Sequence, residues 1–153
     1  MRRLLTLAAV LSLAFAPAPL PRPAPREEAL TAESLAGTWR VTALYHPPDK
    51  TPKDPAGQGV THVVITATQW AFEGSGAARY DLRIDNSKKP AEFDMMQVGQ
   101  KMPYGRGLMR REGAGIRVVY RWSGTRPASF DDPAAGCDLT LVRENAPAPK
   151  GGR

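Results

Sequence analysis

The chain has 153 residues, 42% of them hydrophobic, a single cysteine and a formal net charge of +6. That length gives one domain able to bury its own core, and the lone cysteine excludes an intramolecular disulfide as its support. The charge invites a nucleic-acid reading that its distribution weakens. Arg2, Arg3, Arg22, Arg26, Lys150 and Arg153 lie towards the ends, and from Glu33 to Glu144 there are 15 basic against 13 acidic residues, a net of +2.

Arg2 and Arg3 form a short positive head, followed by an uncharged apolar run of thirteen residues, 4–16. This is the pattern of a secretory signal peptide, and the run is too short to span a hydrocarbon core. Cleavage is expected after Ala16 or, to avoid Pro17 just beyond the cut, after Ala14. No cysteine lies near this site, which excludes lipid attachment of the lipoprotein kind, and the residues usual around a twin-arginine export pair are missing. The expected location is periplasmic or extracellular, with no stable membrane anchor once the leader is removed. Residues 17–29 read as a stiff proline-rich spacer, 30–145 as the folded domain, and 146–153 as a disordered tail.

Thr31 and Ser34 suit one helical turn ahead of the first strand. Period-two alternation then marks strands in order. Trp39, Val41, Ala43 and Tyr45 are expected on one face of the first. Residues 60–68 are β-branched and apolar on both faces, as in a well-covered second strand. Trp70 and Phe72 mark a short third, stopped by Gly74-Ser75-Gly76. Tyr80, Leu82 and Ile84 alternate with Arg79, Asp81, Arg83 and Asp85 in the clearest half-buried strand. After a turn over residues 85–90, Ala91, Phe93 and Met95 make the fifth, and residues 105–111 a poorly patterned sixth. Glu112-Gly113-Ala114-Gly115 reads as a tight hairpin, Ile116, Val118, Tyr120 and Trp122 share the inner face of the seventh, and Leu139, Leu141 and Arg143 finish the eighth. Eight strands joined mostly by short turns predict an all-β, up-and-down antiparallel barrel, with a β-sandwich as the alternative. Gly37, Trp39 and Arg143 are the candidate closure residues: the first and last strands meet, and the guanidinium covers the indole.

The frame Leu35-x-Gly37-Thr38-Trp39, then Tyr80-Asp81-Leu82-x-Ile84-Asp85 before Lys89-Pro90, resembles an uncharacterised domain family abundant in planctomycetes. Phe93-Asp94, Gly105-x-Gly107, Arg126-Pro127-x-x-Phe130 and residues 139–143 agree with it, so the resemblance covers residues 33–144. The family has no established activity, and the resemblance therefore implies none. The sixth strand departs from it, with Leu108-Met109-Arg110-Arg111 where an Ile-Tyr pair and an acidic turn are usual. Gly37-x-Trp39 with a late-strand arginine also resembles the lipocalins, a distant, two-point likeness that implies the barrel and brings no ligand with it.

Catalytic chemistry is hard to place on this chain. His46 and His62 are the only histidines and lack metal-ligand spacing, so neither a metal nor a cofactor is expected. No Gly-x-Ser-x-Gly elbow occurs. Glu92 and Asp94 share one face of a strand, where salt bridges to Lys88, Lys89 or a neighbouring arginine outrank acid–base work. Gly105-x-Gly107 and Gly113-x-Gly115 lack a following helix, so they read as turn or bulge glycines. Cys137 reads as a small buried residue, against a reactive thiol or an intermolecular bridge.

From Lys101 to Arg126 seven basic residues face one acid, Glu112, which makes a solvated basic face or a weak anion site. Arg126-Pro127-Ala128-Ser129-Phe130 carries two readings. In one, Phe130 plugs an end of the barrel and Arg126 caps a carbonyl or carboxylate. In the other, Arg126 with Arg121 or Arg106 forms an anion site at the barrel mouth, so that Arg121, Arg126 and Phe130 are the expected ligand or anion contacts. The expected function is an exported module holding a small apolar or anionic molecule in a cup, and not an enzyme. The alternative is an interaction domain that engages another envelope protein through its outer face or a sheet edge. No sequence-specific nucleic-acid partner is expected.

Overall fold

The computed structural model describes residues 29–74 and 78–144. The expected leader, the expected proline-rich spacer up to residue 28 and the expected tail from residue 145 lie outside the described residues. A one-turn helix, α1 (Ala32–Leu35), precedes the strands β1 (Gly37–Tyr45), β2 (His62–Ile65), β3 (Gln69–Glu73) and β4 (Arg79–Asp85). β5 (Ala91–Gln97), β6 (Pro103–Glu112), β7 (Gly115–Trp122) and β8 (Cys137–Arg143) follow. They pair antiparallel in chain order, and β8 returns to β1, so the sheet is a closed eight-stranded barrel.

At the end where the chain enters, Thr31 and Ser34 form a reciprocal capping box that fixes α1. α1 brings Leu35 to full burial, and the Leu35 carbonyl accepts the Trp39 indole N–H at 2.7 Å. Trp39 pairs with Arg143 across β1 and β8, and the Arg143 guanidinium carbon lies 4.5 Å from the ring centroid. That guanidinium also donates to the Ala36 carbonyl at 2.7 Å and to the Ser34 carbonyl. One cation thus ties together the helix, the first strand and the last. Gly37, at φ +137°, has no Cβ to press on this guanidinium.

β1 corrects the expected pattern. Its register against β8 shifts between Val41 and Ala43, leaving Thr42 as an extra residue. A bulge of this kind moves every later side chain to the opposite face. Trp39, Val41 and Leu44 are therefore buried in the core, while Ala43 and Tyr45 face outward. β2 is shorter than residues 60–68 because Thr66 turns the chain: its hydroxyl accepts from the backbone N–H of Thr68 and of Gln69.

Side chains fill the interior. Trp39, Val63, Ile65, Trp70, Phe93, Met95, Met109, Ile116, Val118, Leu139 and Leu141 have essentially no exposed surface. Trp70 stacks on Phe93 at 5.8 Å and 11°, although no polar atom among the described residues partners its indole N–H. The weak patterning of β6 has a packing cause. A Cβ on Gly107 would lie 2.4 Å from the Phe93 ring, and one on Gly105 would lie 2.8 Å from Met95. Glycine occupies these inward positions because the larger side chains opposite need the space.

Replacing Arg143 by Ala should lower stability by about 2 kcal/mol, from the lost cation–π contact and two freed carbonyls. Arg143→Lys should recover only part of this, since an ammonium cannot lie flat on the ring and reach both acceptors. Urea denaturation of the three proteins is the measurement, and equal midpoints would refute the role given to this residue.

Candidate functional site

The candidate anion contacts from the sequence lie on the outer wall. Arg126 comes from the connection between β7 and β8 and folds back over β5 and β6. It donates to the carbonyls of Phe93 and Gly107, both at 2.7 Å, and pairs with Asp94 at 2.8 Å and Glu92 at 3.1 Å. Arg126 is thus the neighbouring arginine for Glu92 and Asp94, and its guanidinium is engaged on every side. Arg121 donates to the Ala134 carbonyl and lies 3.9 Å from Asp132. Arg106, opposite Arg121 in the β6–β7 ladder, donates to the Gly124 carbonyl at 3.2 Å. These arginines do not converge on an anion site at the barrel mouth; they pin the β7–β8 connection against the wall.

Phe130 is not an end plug. It packs outside the barrel with Leu108, Val119 and Ala135, the guanidinium carbon of Arg110 lying 4.3 Å from its ring centroid. Beside it runs an outer cleft of about 640 Å3, bounded by Tyr45, Pro47 and Pro48 on one side and Phe130 and Pro133 on the other. Its floor holds Arg117 and Asp138, joined at 3.0 and 2.6 Å. Asp138 is the buried charged residue among those described, and its carboxylate holds the Arg117 guanidinium more firmly protonated. Asp49 bonds Lys53 at 2.7 Å, and Asp132 accepts from the N–H groups of Ala128 and Ala134. Arg117, Asp138, Asp49 and Asp132 are thus all engaged by groups of the protein itself.

Cys137 faces inward beside Tyr120, and burial pushes its thiol above the ordinary value. His46 Nδ1 lies 3.7 Å from the sulfur but also 3.2 Å from the Gly136 carbonyl. A carbonyl only accepts, so that nitrogen carries a proton and cannot take the one on the thiol. The pair therefore does not generate a thiolate nucleophile. Among the described residues no group of three His, Cys, Asp or Glu side chains is placed to hold a metal ion.

The remaining unusual surface is the end of the barrel opposite α1. Trp70 and Phe93 lie deep in the core, and the aromatic packing continues through Phe72 and Tyr120 to Trp122. Trp122 is only half-buried, and it contacts Tyr80 and Tyr104 at ring separations of 5.3 Å each. Tyr104 owes its place to a second bulge. Met95 pairs with Gly105 and Met96 with Pro103, so Tyr104 is the extra residue. Its ring stacks on Tyr80 at 5.8 Å and 9° while remaining 42% exposed. Val98 and Met102, in the connection just before it, are 62% and 74% exposed. These three are the exposed large hydrophobic residues among those described, and all fall within one short segment.

Sequence reasoning assigned Trp122 to the inner face but missed Tyr104 as a site residue. The rising apolar content of Val98, Met102 and Tyr104, interrupted by Gly99 and Pro103, was the available signal. No family model matches the chain, and neither a curated protein nor a solved structure does so.

Two measurements follow from this geometry. Arg126→Ala should cost about 2 kcal/mol by freeing two carbonyls and two carboxylates, and it should loosen residues 123–135 first. Hydrogen exchange that leaves that connection as protected as before would contradict the assignment. Burial also raises the Tyr120 phenol. Folded Cys137 and Tyr120 therefore keep protons that the unfolded chain releases, so stability is full below about pH 8.5 and falls as pH rises above it. In Cys137→Ala the decline should begin only near the tyrosine range, at about pH 10, in denaturation midpoints followed against pH.

Proposed function

We propose that this protein is a contact module whose working surface is the rim of Tyr80, Tyr104 and Trp122 with Val98 and Met102. The barrel serves as a filled scaffold that holds the rim in place. The observation that carries this reading is the confinement, among the described residues, of exposed large hydrophobics to one segment on an aromatic base that continues into the core. An exposed apolar patch rimmed by polar residues marks a surface that meets something.

The alternative, a cup for a small apolar molecule, has less support. Its interior positions are occupied by large side chains, and Gly105 and Gly107 leave no slack between strands. An anion carrier built on Arg121, Arg126 and Phe130 is likewise weakened, because both guanidinium groups are bonded to the protein's own carbonyls and carboxylates. The signal-like leader favours a partner in the cell envelope.

The test uses the protein as its own host makes it. Envelope fractionation should find the wild type bound, and a Val98→Asp/Met102→Asp variant released, with both melting at the same temperature. Native mass spectrometry should return the mass of the polypeptide alone. A small molecule copurifying at one per chain, retained in the double variant, would replace the contact reading with the cup.

A further inference from the structure

We propose that the tip between β5 and β6 docks on an anionic lipid surface. Val98 and Met102 would enter the acyl boundary, while Tyr104, Tyr80 and Trp122 lie at the headgroup level. This rests on the reading of the rim as the working surface and names its partner.

The tip is a built turn. Gln100 donates its N–H to the Gln97 carbonyl at 2.8 Å, and Gly99 takes φ +80°, a conformation that glycine adopts without strain. Val98 and Met102 flank this turn, beyond the ends of the strands. Behind them stands the aromatic collar, with Tyr104 stacked on Tyr80 and Trp122 against both. Polarity is therefore ordered along the barrel axis: aliphatic tip first, amphipathic rings next. That order matches a membrane boundary, where tyrosine and tryptophan settle between the acyl chains and water. A protein partner needs no such ordering.

Charge completes the match. Lys101 sits in the turn, and Arg79 opens β4 immediately before Tyr80. Neither cation makes an ion pair among the described residues, in contrast to Arg117, Arg121 and Arg126. No carboxylate occurs in the chain between Asp94 and Glu112. Unpaired cations beside a small apolar tip give reversible attraction to anionic headgroups, short of permanent anchorage.

The tryptophans supply a specific readout. Trp39 and Trp70 have no exposed surface, so Trp122 is the indole that a brominated lipid chain can quench. Protein purified from its own host is mixed with brominated phosphatidylglycerol vesicles, and with brominated phosphatidylcholine vesicles for comparison. Quenching is expected on the anionic vesicles, stronger at low salt than at high salt. Lys101→Gln should weaken it roughly fivefold, the worth of one cation at such a surface. Val98→Asp/Met102→Asp should weaken it at least about tenfold, by removing the buried apolar area.

Unquenched Trp122 on both vesicle types would overturn the lipid proposal. If the double variant nevertheless leaves the host envelope, the rim remains the contact surface and its partner is a protein. If the double variant also stays in the envelope, the proposed function falls with the lipid proposal. Quenching that the double variant leaves unchanged equally overturns the docking geometry.

Discussion

The closure of β8 onto β1 is the constraint on which the rest of the structure depends. An open sheet of eight strands would present two rows of unpaired backbone groups, each a template for aggregation. Here the pairs from Trp39 with Arg143 to Tyr45 with Asp138 remove both edges. Arg143 adds a side-chain clasp at the end of that seam by covering the Trp39 ring and bonding the carbonyls that follow α1. Once the seam is made, the interior volume is set, and every inward residue must fit what remains.

That fitted interior explains why the exposed apolar surface stands at one end. Two inward positions of β6, Gly105 and Gly107, are glycines because Met95 and Phe93 occupy the space across the ladder. With the middle filled, aromatic residues nearer the mouth are displaced outward in sequence: Phe72 and Tyr120, then Tyr80 and Trp122, and finally Tyr104 on its bulge. The exposed rings are thus supported from below by buried ones. A rigid, pre-formed apolar surface loses less conformational freedom on contact than a loose loop does.

The outer wall follows a different logic. Its arginines are abundant in sequence, but the fold brings Glu92, Asp94, Asp131, Asp132 and Asp138 to them from distant positions. These pairs, most of them partly buried, and the carbonyl contacts hold the β7–β8 connection down. Lys101 and Arg79, which make no ion pair among the described residues, lie beside the rim.

Strand order, the glycine hairpin at Gly113, the single helical turn and the meeting of Trp39 with Arg143 were all legible from local pattern. The first three depend on neighbours in sequence or on a two-residue period that local side chains impose, and the Trp39–Arg143 meeting follows from their inward places on the first and last strands of a sheet that closes. The bulges at Thr42 and Tyr104 were not legible, and with them the outward turn of Ala43 and Tyr45 and the stacked position of Tyr104. Neither were the partners of Arg117, Arg121 and Arg126, nor the place of Phe130 outside the wall. The physical reason is common to all of them. A bulge is a mismatch between two strands, and an ion pair is a meeting of two distant segments. Both are properties of the register between chain segments, which exists only once the barrel has closed.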